Sequence, residues 1–251
     1  MKYAIKKIFN ALGYEVKKLQ PAMQESYHSR KGKSVLGFMD EFNVSCLLDV
    51  GANIGQYAIA FRDLGFQGSI ISFEPLDGPF LILKERAEKD EKWEVENVAV
   101  GDKDDEVIIN VAGNLESSSL LPMLDLHLNA YPPSAYESEQ KTKLVKLDSV
   151  CLKRISDNDR LGMKLDVQGY ELQALKGATA LLKQVYVIDI ELSLDSLYGG
   201  QASFTEIVEY LKLEGFTAVS FENGFIDPRN GHALQCDAVF IRKLSEGEQD
   251  R

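Results

Sequence analysis

Asp49-Val-Gly-Ala-Asn-Ile-Gly55 decides the fold: a short apolar run, Cys46 to Val50, ends in a glycine turn that opens directly into a helical pattern from Gln56 to Leu64. A buried strand passing into a helix through glycines is the start of a βαβ unit, where the backbone can approach a nucleotide-like ligand closely. The spacing is G-x-N-x-G rather than the dinucleotide G-x-G-x-x-G, and Asp49 puts a negative charge where a pyrophosphate would be repelled. A carboxylate there suits an ammonium or sulfonium ligand, or serves the turn by accepting backbone N–H bonds.

Outward from this turn the pattern repeats. Further strands are expected at Ser69 to Phe73, Trp93 to Val98, Gly162 to Asp166, Tyr186 to Glu191, Phe216 to Phe221 and Ala238 to Arg242. Helices are expected at Gly78 to Lys89, Gly169 to Lys183 and Phe204 to Glu214. The reading is α/β, with helices on both faces of a mostly parallel sheet. Glu222 to Asp237 contains Asn223-Gly224, Pro228 and Asn230-Gly231 but no helical pattern, so a hairpin-like connection is expected and the last strand should be antiparallel. Val107 to Val111 and Lys143 to Leu147 read as extra strands around a Ser/Pro/Tyr-rich insert, 114–140, expected to cover an acceptor pocket as a lid.

Glu74 ends the second strand, 23 residues after Gly51, and Pro75 holds it extended. An acid at this offset can accept both hydroxyls of a ribose. In Lys164-Leu-Asp166-Val-Gln168-Gly-Tyr-Glu171, Asp166 falls at the carboxyl end of a central strand, where ligands of α/β sheets bind, and shares a face with Lys164. Glu171 opens the next helix, where capping the helical amides is as good an explanation as ligand contact.

In this order DVGANIGQY (49–57), FEP (73–75), NVAVGD (97–102), SSSL (117–120), KLDVQGYELQALKGA (164–178) and DAVFIR (237–242) resemble the FkbM family of S-adenosylmethionine-dependent methyltransferases. The resemblance spans about residues 45 to 243 and implies a Rossmann-like class I methyltransferase fold, a seven-stranded sheet with an antiparallel C-terminal strand. It also implies the cofactor S-adenosyl-L-methionine, leaving as S-adenosyl-L-homocysteine. By the same resemblance Asp49, Gly51, Ala52, Asn53 and Gly55 would line the methionine part, Glu74 the ribose, and Asn97, Val98 and Ala99 the adenine. Asp166 would border the cofactor and is the first candidate base for a hydroxyl acceptor; Glu191, with Asp189 on the same face, is the second. An ordinary carboxylate is a weak base toward an alcohol, so a raised pKa is expected of whichever removes the proton early. Ser118, Ser119, Gln168, Glu171 and Tyr136 are the expected acceptor contacts. The three histidines, His28, His127 and His232, have no metal-ligand spacing, and no metal is expected.

The chain has 251 residues, 45% hydrophobic and 27% charged, enough for a sizeable core. Its net charge is −11, unevenly spread: residues 1–33 carry eight basic residues against Glu15 and Glu25, which leaves −17 for the rest. The acidic body argues against a nucleic-acid acceptor and favours a small molecule or glycan, with transfer to oxygen inferred from the resemblance. Lys2 to Leu12 reads as a basic amphipathic helix, either a cap on the core or a weak contact with a membrane or partner through residues 2–12. The expected division is a basic helix and linker, 1–33, and a methyltransferase domain, 34–251. Cys46, Cys151 and Cys236 form no C-x-x-C pair, and neither a signal peptide nor a membrane span is read, so the expected setting is cytoplasmic. A noncatalytic scaffold and, less favoured, an NAD-dependent oxidoreductase are the alternatives; the sequence does not give the oligomeric state.

Overall fold

β1 (Cys46–Val50) is buried at all five residues, which its apolar composition allows and a central position in a parallel sheet requires. In the computed structural model, which describes residues 35–243, it pairs in parallel with β2 (Ser69–Phe73) on one side and β7 (Leu161–Leu165) on the other. β3 (Trp93–Glu96) extends this sheet beyond β2, and β8 (Val185–Ser193) beyond β7, both in parallel. β9 (Phe216–Asn223) and β10 (Gln235–Arg242) form the expected hairpin, and β10 inserts antiparallel between β8 and β9. The order is β3-β2-β1-β7-β8-β10-β9.

The strand period of two sorts the core into two layers. Leu48, Val50, Ile71, Met163, Leu165 and Ile190 face α4 (Leu147–Cys151), α5 (Glu171–Lys176) and α6 (Phe204–Leu213). Leu47, Ile70 and Val187 face a helical segment over 35–41, α1 (Gln56–Asp63) and α2 (Asp77–Ala87). A second sheet of three strands joins β4 (Ala99–Val100), β5 (Asp105–Ala112) and β6 (Tyr136–Val145) in the order β4-β6-β5. Between β5 and β6 lies α3 (Asp125–Ala130), whose Ala130 packs with Leu197, Tyr198 and Leu234 in a satellite cluster.

Three expectations are corrected. Trp93 to Val98 is not one strand: the Asn97 amide donates to the carbonyls of Glu74 and Pro75 at 3.0 and 3.2 Å, and the chain then leaves the main sheet for β4. Gly169 to Lys183 is not one helix. α5 stops at Gly177, packed so closely that a Cβ would lie 1.9 Å from the Gly101 carbonyl oxygen. The amides of Ala180 and Leu181 then turn to the Asp148 carboxylate, at 2.9 and 3.0 Å, to begin a separate 3-10 turn, Leu181–Gln184. The expected strand Lys143 to Leu147 starts earlier, at Tyr136, and ends at Val145, while Leu147 opens α4. The basic arm, with the amphipathic helix expected over 2–12, lies outside the described residues.

Candidate active site

The carboxyl ends of β1, β2, β7 and β8 converge on a cavity of about 430 Å³, within the roughly 300–1,000 Å³ common for small-molecule pockets. Its floor is the glycine turn. Gly51 has φ +80 and lies against the end of β7, where a Cβ would stand 1.8 Å from the Asp166 carbonyl oxygen, so only glycine lets the two strand ends close up. Gly55, at φ +84, caps α1, and a Cβ there would press on Leu83 and Trp93; its role is packing rather than lining.

Glu74 stands beside this turn, 6% exposed. Its Oε2 accepts the Asn53 amide and its Oε1 the Leu76 amide, both at 2.8 Å. A carboxylate has about four lone-pair sites, so two remain for hydroxyl donors from the cavity that Glu74 lines. Burial pushes its pKa up to about 7 against those backbone donors. Phe73, Leu76, Pro79, Val98, Ala99 and Val100 add an apolar slot next to it.

One pleat below, a polar row crosses the buried sheet through register partners Ser72, Asp49, Lys164 and Asp189. Trp93 Nε1 donates to Ser72 Oγ at 2.9 Å, and Ser72 Oγ donates to Asp49 Oδ2 at 3.0 Å. Lys164 Nζ donates to the Gly51 carbonyl at 3.3 Å and to Asp166 Oδ2 at 3.1 Å, while Tyr57 donates to Asp189 Oδ2 at 2.9 Å. Burial opposes the Lys164 charge, but Asp166 and Asp49 outweigh it and hold the ammonium above its ordinary pKa. This row locks the turn to β7 from beneath. Asp49 belongs to it and does not line the cavity, because the strand period turns its side chain toward Ser72.

At the far end, Gln168, at φ +54, sends Nε2 to Asp166 Oδ1 and to Glu191 Oε2, each at 2.8 Å. Its Oε1 accepts Tyr198 Oη–H at 2.6 Å, and its backbone carbonyl accepts Ser119 Oγ–H at 2.6 Å. Gln235 Nε2 also donates to Glu191 Oε2, at 2.6 Å. Burial, then the neighbouring Asp166 and Asp237, raise the Glu191 pKa well above the usual range. The outer wall comes from the insert and from the β9–β10 connection: Asn114 to Leu120, His127, Tyr131 and Phe225. Burial lowers the His127 pKa to about 4, so this imidazole is neutral at pH 7. Among the described residues the lining holds four acids, Glu74, Glu116, Asp166 and Glu191, and no lysine or arginine.

Of the residues singled out in the sequence, Gly51, Asn53, Glu74, Val98, Ala99, Ser118, Ser119, Asp166, Gln168 and Glu191 meet at this cavity. Asp49, Ala52, Gly55, Asn97, Tyr136 and Glu171 do not line it. Tyr136 donates to the Leu121 carbonyl at 2.8 Å, and Glu171 Oε1 takes the amides of Val167 and Gly169, both at 3.1 Å, so its work is to close the loop before α5. Both amide hydrogens of Gln168 go to acids, which leaves it none to donate to an acceptor. His232 is exposed in the β9–β10 connection, away from the lining. Gln235, Tyr198 and Phe225 are not legible as site residues in the sequence, and His127 and Tyr131 fall in the 114–140 insert without a pattern that marks them. Among the described residues no group of three or more His, Cys, Asp or Glu is placed to hold a metal.

A seven-stranded sheet with an antiparallel strand next to its edge, over a glycine turn and a strand-end acid, defines the Rossmann-like fold of class I methyltransferases. Residues 49–218 match the Methyltransferase FkbM domain, and the chain belongs to that family. Among solved structures it is similar to Methyltransferase FkbM from Methylobacillus flagellatus KT (14% identity, 78% of this chain and 43% of that one, TM-score 0.48). It is also similar to magnesium protoporphyrin IX methyltransferase from Synechocystis PCC 6803 with bound SAM (10% identity, 96% and 97%, TM-score 0.46). A third is 1,6-didemethyltoxoflavin-N1-methyltransferase from Burkholderia thailandensis (13% identity, 90% and 82%, TM-score 0.45). The chain thus spans less than half the length of the Methylobacillus protein. No curated protein matches it.

Proposed function

We propose that the chain uses S-adenosylmethionine to methylate a hydroxyl oxygen on a sugar, polysaccharide or small natural product. The observation that carries the cofactor half is Glu74: a buried strand-end carboxylate, fixed by two backbone amides, with lone pairs left for a ribose diol beside the glycine turn. The apolar slot of Leu76, Pro79, Val98 and Ala99 suits an adenine ring, and the acids that the described residues bring to the lining suit a sulfonium better than a pyrophosphate.

When bound, the cofactor supplies an electrophilic methyl group for in-line displacement, so the chain's part is alignment, exclusion of water and removal of a proton. Asp166 and Glu191 stand where the acceptor half of the cavity begins, joined through Gln168. Asp166 would accept the proton that the acceptor hydroxyl gives up. Tyr131, Phe225 and neutral His127 give the acceptor an aromatic wall, and Ser118 and Ser119 border it with hydroxyls. The four acids support an acceptor without phosphate, which speaks against nucleic acid. No helix among the described residues is long and apolar enough to cross a membrane. The free cysteines 46, 151 and 236 support a reducing, cytoplasmic setting.

Calorimetric titration with S-adenosylhomocysteine and, separately, NADH tests this reading. S-adenosylhomocysteine alone should bind, and Glu74→Ala should weaken it by about 1–3 kcal/mol, as for loss of a buried charged hydrogen-bonding group. NADH binding, or no binding of S-adenosylhomocysteine, would overturn it.

A further inference from the structure

The acceptor end of the cavity holds two carboxyl groups on a single amide. Gln168 Nε2 reaches Asp166 Oδ1 and Glu191 Oε2 at 2.8 Å each, so the two acids are held as neighbours by one nitrogen. Their surroundings differ. Asp166 has the Lys164 ammonium at 3.1 Å, and its side chain keeps 33% of its exposure. Glu191 forms no salt bridge among the described residues, and the side chains that donate to it, Gln168 and Gln235, are neutral amides that both meet Oε2. The groups that act on Glu191 are mostly acidic: Asp166 just past β7, Asp237 on β10 and Glu171 at the start of α5, with the Lys164 ammonium opposing them among the described residues and Tyr198 contributing a phenol. Like charges held this close resist ionising together, and the neighbouring cation decides which one carries the charge.

We propose that Asp166 and Glu191 act as one unit sharing a single negative charge, carried by Asp166 beside Lys164, with Glu191 keeping a proton at neutral pH. The use of the pair rests on the acceptor site proposed above. A proton displaced from an acceptor hydroxyl then goes to the Asp166 carboxylate, since Glu191 already holds one. The Glu191 O–H is left to donate to an oxygen of the acceptor, which favours an acceptor offering a hydroxyl or ether oxygen and disfavours an ammonium at that position. The direction in which burial and Asp166 move the Glu191 pKa agrees with this division.

The test is infrared difference spectroscopy of the full chain carrying 13C-labelled glutamate, at pH 7, for wild type and Glu191→Gln. The expected result is loss of one protonated-carboxyl carbonyl band in the variant. Asp166→Asn removes the neighbouring charge and should shift the Glu191 titration to lower pH, read by 13C NMR of the same label. That shift decides the matter alone if Glu191→Gln does not fold. An unchanged protonated-carboxyl band in a folded Glu191→Gln, or a titration unmoved by Asp166→Asn, would overturn the proposal. The readout needs neither cofactor nor acceptor, so a chain that fails to bind S-adenosylhomocysteine would sink the functional reading while the charge state of the pair was still measured.

Discussion

Glu74 sits in the folded chain with a pKa near 7, against 4.5 for an ordinary glutamate, because burial outweighs the two amides it accepts. Between those values the native state binds a proton that the unfolded chain has released. A raised carboxyl pKa therefore lowers stability as pH climbs from 4.5 to about 7, with no further change above. Glu74→Gln abolishes this titration. Measured by urea unfolding without ligand, the variant should gain on wild type across that window by up to ~3 kcal/mol, the product of the shift and about 1.36 kcal/mol per unit; a pH-independent difference would contradict the assignment. Glu74 was legible in the sequence because its offset from the glycine turn and the following proline are both local. Gln235 and Tyr198 were not: each reaches the site only through tertiary packing, 44 and 30 residues from its partner, and neither residue type marks a strand end. Asp49 was legible as important but misplaced, since the sequence pattern shows which residues share a face and not which face meets the ligand.

The turn from β1 to α1 is the element on which the cavity depends. In Gly51→Ala the new Cβ would meet the Asp166 carbonyl oxygen, a backbone atom that cannot rotate away, at a positive φ. The cost should be roughly 2–4 kcal/mol in unfolding free energy, and binding of S-adenosylhomocysteine should weaken with it because Asp166 moves. Stability unchanged within error would show that the strand ends are not in the contact described. α6 makes a simpler case. Ser203 Oγ accepts the Glu206 amide, and Glu206 Oε2 accepts the Ser203 amide at 2.8 Å, a capping box that Ser-Phe-Thr-Glu spells out. Ser203→Ala should cost about 1 kcal/mol in the same assay and leave ligand affinity unaltered. Elements with a strong apolar period, β1, β2 and α1, matched their expected bounds closely. β6 did not, because Tyr-Glu-Ser-Glu-Gln-Lys-Thr-Lys carries charge along most of its length and is held as a strand by eight register partners on β5. The helix expected across Gly177 broke where a close approach and the Asp148 carboxylate won over its periodicity.

At the scale of the molecule, the sheet order brings together three sequence-distant stretches, the glycine turn, Glu74 and the Lys164–Glu171 run, at one rim. The fold class and the antiparallel final strand were readable because hydrophobic period and turn chemistry agree at the strands of the main sheet and at the β9–β10 connection. The acceptor wall was not, since its aromatic and serine residues come from an insert and a hairpin connection whose packing follows no period. Four carboxyl groups of the described residues line this cavity, and on the proposed function Glu74 grips a ribose diol in its ionised form. Ribose binding by Glu74 is therefore tested most directly by S-adenosylhomocysteine calorimetry at pH 6.5 in buffers of different ionisation enthalpy, near the value of about 7 for Glu74. Proton release on binding, affinity that strengthens as pH rises through 7, and loss of both effects in Glu74→Gln are the predicted results. Binding with no proton release, or release that persists in Glu74→Gln, would contradict the claim that this carboxylate holds the ribose.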